Sequence, residues 1–259
     1  MISVTTDSRR RRRIPTAPVV AVVVLALAAW AALAAWGASP HARYLDHASL
    51  DDPGLEGPAL AGVMIGGWTL MVVAMMLPTA LPLVRMVGDV GRRRDQRGYL
   101  TAALVTGYLS VWVGVGGLAW GGDAVLHALE DVFPVVEANA WLLAPASLAL
   151  AAGFQLSSVK DRCLRECRSP RGLLMQRWRG RQPGWEAWAL GVEHGKFCVG
   201  CCWALMLVMF AVGGGNLGIM LALGALMAAE KNFPGGAALT RPLALVLALA
   251  AVGTLVVGP

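Results

Sequence analysis

The run Glu193-His194-Gly195-Lys196-Phe197-Cys198-Val199-Gly200-Cys201-Cys202-Trp203 holds three of the chain's five cysteines beside an imidazole and a carboxylate. Thiols are soft ligands and latent nucleophiles, so this density points to metal binding or redox chemistry. On a helix, Cys198 and Cys202 stand one turn apart and His194 stands one turn before Cys198, while Cys198 and Cys201 form a C-x-x-C. One helix face can then carry His194, Cys198, Cys201 and Cys202 at the mouth of an apolar helix.

The remaining thiols lie in Lys160-Asp161-Arg162-Cys163-Leu164-Arg165-Glu166-Cys167-Arg168. Helical spacing puts Cys163 and Cys167 on one face, where two thiolates can share an ion. Lys160, Arg162, Arg165 and Arg168 are expected to lower the thiol pKa values and favour the ligating form. Methionine extends the pattern: Met71 and Met75 share a face, Met76 follows, and Pro78 and Pro82 free backbone carbonyls beside them. Met206 and Met209 continue from the cysteine run. Thioether plus thiolate selects a soft ion, Cu(I) first, with zinc as the alternative.

Positioning such groups falls to helices. With 57% hydrophobic and 15% charged residues and a mean hydropathy of +0.60, the chain is too apolar for an ordinary soluble domain. Its apolar runs predict an all-α polytopic transmembrane helical bundle of about seven spans, each needing about 20 residues. The expected spans are 18–38, 59–84, 99–120, 140–158, 197–214, 217–229 and 242–258. The sixth is short enough to be a tilted half-helix or a re-entrant segment. Residues 1–17 form a basic N-terminus, and 18–258 form a single transmembrane helical domain.

Charge sets the expected topology. Arg9 to Arg13, then Arg85, Arg92, Arg93, Arg94 and Arg97, the cations from Lys160 to Arg181, and finally Lys231 and Arg241 fall on one face of a seven-span layout. Only Arg43 and Lys196 lie elsewhere. By the positive-inside rule that face is expected to be cytoplasmic, the N-terminus with it. The opposite loops hold Asp46, Asp51, Asp52, Glu56, Asp123, Glu130, Asp131 and Glu137, with His41, His47 and His127 expected to be solvated among them. Basic loops facing an anionic leaflet account for the +6 net charge, so no nucleic acid is implied. The apolar run after Arg13 is too long for a secretory h-region and reads as a retained anchor. All five thiols map near the cytoplasmic boundary, where they stay reduced, so structural disulfides are not expected.

Other polar residues have structural readings. Gln155 is expected to order the Lys160 loop or to bond between helices. Glu193 with Lys196, and Glu230 with Lys231, are expected to neutralise each other, or Glu230 to gate an ion path. Gly62-x-x-x-Gly66 and the group Gly114, Gly116, Gly117 and Gly121 permit close helix approach. Phosphate-loop, H-E-x-x-H and G-x-S-x-G signatures are absent from the sequence, which leaves nucleotide hydrolysis and common hydrolase mechanisms without support.

Several motifs in order carry a family resemblance: Ala74-Met75-Met76-Leu77-Pro78 with Pro82, Gly153-Phe154-Gln155 with Lys160, Cys163 and Cys167, Cys198-Val199-Gly200-Cys201-Cys202-Trp203 with Leu205-Met206, and Glu230-Lys231. Over about 68–231, the core region, the chain resembles a bacterial family of predicted metal-binding integral membrane proteins. The resemblance implies a multi-spanning inner-membrane protein with Cys and Met ligands, working beside a small soluble protein partner.

The leading expectation is binding and transport or handling of Cu(I) by Cys163, Cys167, Cys198, Cys201 and Cys202, with His194, Met75, Met76 and Met206 as further ligands or relay points. Ions would pass from the acidic outer loops along the methionines to the cytoplasmic thiolates. Conduction needs ligands weak enough to release, which favours a carrier or chaperone over a channel. That reading is not an enzyme. Two alternatives stay open: a membrane thiol-disulfide oxidoreductase cycling Cys198 and Cys201, with a quinone near Trp203, and a structural or assembly subunit. Sidedness weighs against the first, since disulfide-forming enzymes face the oxidising compartment.

Overall fold

The computed structural model describes residues 17–40, 42, 58–212 and 216–258, and these are helical with no strand among them. Arg9 to Arg13, His41, Arg43, Asp46, His47, Asp51, Asp52 and Glu56 lie outside the described residues, as do the side chains of His127, Glu130, Asp131 and Glu137. In chain order the helices are α1 (Ala17–Gly37), α2 (Pro58–Met75), α3 (Leu81–Arg92), α4 (Arg97–Val132), α5 (Pro134–Ala138), α6 (Leu143–Gln155), α7 (Ser158–Cys167), α8 (Pro170–Arg177), α9 (Pro183–Val212), α10 (Leu217–Asn232) and α11 (Thr240–Val257).

Four segments, in α1, α4, α9 and α11, are long and apolar enough to cross a membrane, and the bent pair α2 and α3 makes a fifth if taken as one span. Two expected spans are shorter in the fold. The stretch expected at 140–158 yields only the 13-residue α6, because the chain leaves the helix after Gln155 and Ser157 begins a new one by accepting the Lys160 N–H at 3.1 Å. Helix α10 has 16 residues and starts at Asn216, whose side chain accepts the Ile219 N–H at 3.1 Å.

The fifth expected span begins much earlier than residue 197. The Glu186 carboxylate accepts the backbone N–H groups of Arg179, Gly180, Arg181 and Gln182 at 2.7–3.2 Å, and Pro183 opens the helix without needing a donor partner. Gly180 turns the entering chain at φ +73°. The cysteine group therefore sits well inside a 30-residue helix rather than at its mouth.

The second expected span is broken at the methionines. Pro78 has no N–H to offer the Ala74 carbonyl, and α2 stops at Met75 before a 3₁₀ turn at Leu77–Ala80, with α2 and α3 bent by 46°. The orphaned acceptors are taken up from elsewhere. Trp30 Nε1 of α1 donates to the Ala74 carbonyl at 3.1 Å, while Thr79 Oγ1 and the Tyr108 hydroxyl of α4 donate to the Met76 carbonyl at 2.7 and 3.3 Å. The break is thereby tied to both flanking helices.

Helices α4 and α9 form the central pair, and glycine lets them touch. A Cβ on Gly107 would strike the Trp188 backbone, and one on Gly191 would strike the Leu104 backbone. The approach motif is thus Gly107 with Gly191 and Gly195. The expected Gly62-x-x-x-Gly66 makes no such contact, since open space surrounds both positions, as it does Gly114, Gly117 and Gly121. Gly116 alone of that group serves: it admits the Trp68 indole, which donates to the Trp112 carbonyl at 2.8 Å. Helix α11 closes the bundle against α6.

Gly191→Ala should lower stability by about 1–3 kcal/mol or more, because backbone rather than a movable side chain blocks the added methyl. Gly62→Ala should stay within about 0.5 kcal/mol of wild type. Thermal unfolding of the detergent-solubilised protein compares them, and equal effects would contradict the assignment of the contact.

Candidate metal centre

Five segments converge on one buried cluster: Met76 at the helix break, Tyr108 of α4, Cys167 of α7, Cys198, Cys201 and Cys202 of α9, and Lys231 of α10. Lys231 Nζ donates to Cys198 Sγ at 2.9 Å, with Met76 Sδ at 3.8 Å and Cys202 Sγ at 3.9 Å. The Tyr108 hydroxyl meets the same Cys198 sulfur at 2.9 Å. Cys202 Sγ lies 3.8 Å from Met76 Sδ, and Cys167 Sγ lies 3.8 Å from Cys201 Sγ. All five cysteines are free.

Local geometry on α9 aims the thiols. Cys201 and Cys202 both donate to the Cys198 carbonyl, at 3.2 and 2.8 Å, the back-bonding open to small polar side chains in a helix. Their sulfurs part around the helix, Cys201 towards α7 and Cys202 towards the methionine break. Gly200 lets α7 approach: the Cys163 sulfur lies 2.6 Å from where a Cβ on that glycine would stand.

Two charged residues at the end of α10 divide the work. Adjacent helix positions do not face each other, so Glu230 cannot neutralise Lys231. Glu230 pairs instead with the buried Lys160 of α7 at 2.8 Å, and Lys231 turns to the sulfurs. Arg168 caps the same helix end by donating to the Glu230 carbonyl, and to the Phe233 carbonyl at 2.8 Å. The expected Glu193 and Lys196 pair is also absent: Glu193 bonds Arg177 at 3.3 Å and Lys196 is exposed.

The thiols of α7 titrate opposite to expectation. Burial, reinforced by the Cys201 sulfur, pushes the Cys163 thiol up against the smaller pull of Arg162. The hydrogen bond with Cys201, ahead of burial, holds Cys167 well above the ordinary thiol range. The four cations expected to do the reverse are spent or distant: Lys160 on Glu230, Arg168 on the α10 carbonyls, and Arg162 and Arg165 out on the surface.

Not every expected ligand joins the cluster. Met75 faces α10, where its side chain lies 3.3 Å from the Cβ position of Gly224. His194 is buried with its ring 5.9 Å from that of Tyr108, and its Nδ1 has no hydrogen-bond partner among the described residues. Met206 is buried in the apolar core. Gln155 is buried too, with both amide atoms unpartnered among the described residues, so it does not order the Lys160 loop. Trp203 stands edge-on to Phe154 at 5.0 Å. Lys231 and Tyr108 are the members that composition and spacing miss. Lys231 left a readable trace, as a lysine in the last turn of an apolar helix whose neighbour cannot reach it.

Donor chemistry fits a soft ion of low coordination number. A metal held about 2.3 Å from sulfur, the Zn–thiolate bond length, spaces its sulfurs by roughly 3.8 Å in a tetrahedron and 4.6 Å in a line. Both sulfur pairs, at 3.8 Å, match the tetrahedral spacing and ordinary sulfur contact alike, so the soft-ion fit rests on the donor types and not on this spacing. No group of three or more His, Cys, Asp or Glu side chains converges on one point among the described residues, so the hard tetrahedral pattern of a structural zinc site is lacking.

Alkylation of Cys163 by iodoacetamide should climb with pH through a midpoint above the ~8.5 of a free thiol, since a raised pKa keeps the sulfur protonated at neutral pH. A midpoint at or below that value would contradict the burial argument. Gly200→Ala should expel the Cys163 side chain and speed its alkylation at fixed pH, as read by mass spectrometry.

A family model described as "PpoB2: Copper chaperone" matches residues 65–254, a span that contains the whole cluster and omits α1. No curated protein and no solved structure matches the chain.

Proposed function

We propose, since the chain belongs to the PpoB2 family of copper chaperones, that it accepts, holds and hands on Cu(I) at the sulfur cluster between α9, α7 and the methionine break. The observation that carries this reading is the buried approach of Cys198, Cys202 and Met76 around one point, with Cys167 and Cys201 paired beside it. Two thiolates and a thioether are the soft, low-coordinate set that Cu(I) takes in preference to harder ions. Zinc, which favours four ligands, is the weaker fit.

Lys231 gives the site its charge balance. Two thiolates and one Cu(I) sum to a single negative charge, and burying that charge unpaired in an apolar bundle is costly. The Lys231 ammonium, already 2.9 Å from Cys198, neutralises it. Cys163, half-buried on α7, is the most exposed of the five thiols. Met75 packs against Gly224 and stays outside the ligand set, while His194 and Met206, buried in the same core, are kept as relay points.

The setting proposed is a bacterial inner membrane, crossed about seven times by the single domain 18–258, with the N-terminus and the α7 thiols on the cytoplasmic side and the α9 thiols deeper in the bundle. A soft site whose ligands exchange suits a carrier or chaperone, with a small soluble protein as the partner.

Anaerobic purification, elemental analysis and competition with a chromophoric Cu(I) chelator test the proposal. Wild type should bind copper stoichiometrically, Cys198→Ser/Cys202→Ser should lose it, and Met75→Leu should retain it. Lys231→Gln should keep the stoichiometry and weaken affinity by roughly ten- to a hundredfold, the usual effect of losing a group that supports metal ligands. A wild-type protein that binds no copper, with a reversible disulfide between Cys198 and Cys201, would transfer the assignment to the oxidoreductase reading.

A further inference from the structure

An open cleft of about 1100 Å³ lies between α3, the junction of α7 and α8, and the end of α10. Its walls belong to the chain segments that feed the sulfur cluster. Pro78 lies two residues beyond Met76, Arg168 follows Cys167, and Asn232 follows Lys231, and all three line the cleft. No other relation of this kind is needed to place the cleft beside the cluster: three separate strands of chain leave one and enter the other.

The cleft is positively charged. Arg85, Arg168 and Arg171 line it against the single carboxylate of Asp89. Arg168 is committed to the carbonyls at the end of α10. Arg85 and Arg171 are exposed, and neither makes an ion pair among the described residues. A cleft of this volume has room for a small-molecule ligand, since such pockets run to about 300–1,000 Å³. Guanidinium groups select carboxylates or phosphates on that ligand.

We propose that this cleft is the loading port of the sulfur cluster, and that it binds Cu(I) carried as a small anionic thiolate complex whose carboxylates engage Arg85 and Arg171. The inference rests on the copper reading above and adds the form in which the ion arrives. Transfer is a ligand exchange. A Cu–S bond to the carrier breaks as one to Cys167 Sγ forms, and the departing carrier thiolate takes the proton that Cys167 gives up. Copper stays Cu(I) and no electron moves. Cys201, 3.8 Å further in, receives the ion by the same exchange.

Loading of the purified full-length protein from two copper sources tests this. The sources are Cu(I)–glutathione, which is anionic, and Cu(I)–acetonitrile, which is cationic. Arg85→Glu/Arg171→Glu should load from Cu(I)–glutathione about tenfold more slowly than wild type or worse, the scale of lost electrostatic steering. Loading from Cu(I)–acetonitrile should not slow. Arg85→Lys/Arg171→Lys, which keeps the charge, should load from both within a fewfold of wild type, and about 1 M salt should erase the difference between the Glu variant and wild type. Equal slowing from both sources, or none from either, overturns the port. A wild type that loads from the acetonitrile complex and not from glutathione also overturns it, whereas a wild type that loads from neither fails the copper reading instead.

Discussion

A lysine ammonium cannot be left alone in an apolar helix bundle, and this fold buries two of them within one turn of the same α10 terminus. Lys160 is fully buried and Lys231 nearly so. Desolvation makes an unpaired charge there cost several kcal/mol, so each must meet an acceptor. Lys160 takes the one carboxylate within reach, Glu230. Lys231 is then left with sulfur as its partner, and the cluster of Cys198, Cys202 and Met76 assembles around its Nζ. These two contacts tie α7, α9 and α10 together at one end of the bundle.

The surrounding framework serves the same demand. Pro78 breaks the second span where the thioether of Met76 is wanted, and the carbonyls the break exposes are bonded by Trp30, Thr79 and Tyr108. Tyr108 links that break to Cys198. It reaches both because Gly107 and Gly191 let α4 and α9 press backbone to backbone. Gly200 does likewise for α7, bringing the Cys163 and Cys167 pair against the thiols of α9. Small residues at these two crossings thus let the sulfur-bearing helices approach, as in bundles packed by close contact of helices.

Membership of a copper chaperone family and the sulfur geometry bear on the same chemistry from independent sides. A handling protein must bind a soft ion firmly and still release it. The thioether and thiolate set proposed above, with an ammonium beside it, would meet both demands better than a closed four-thiolate cage. The basic cleft whose walls continue into Met76, Cys167 and Lys231 is the route we propose for that exchange.

Much was legible in the chain itself. Its apolar runs and thiol spacings determined an all-helical fold with long apolar segments and two cysteine groups on helices, because periodicity acts locally, whereas Pro78, expected only to free carbonyls within one span, breaks that span in the structure. The ends of α6 and α9 were less legible, since side-chain caps from Ser157 and Glu186 decide them and several neighbouring residues could have served. Partner choice was not legible at all. Whether Glu230 meets Lys231 or Lys160, whether Cys201 faces Cys198 or Cys167, and which glycines touch a neighbour depend on how helices rotate and cross. Those angles are set by the sum of contacts between segments far apart in sequence, and only the tertiary structure could place an ammonium among the sulfurs.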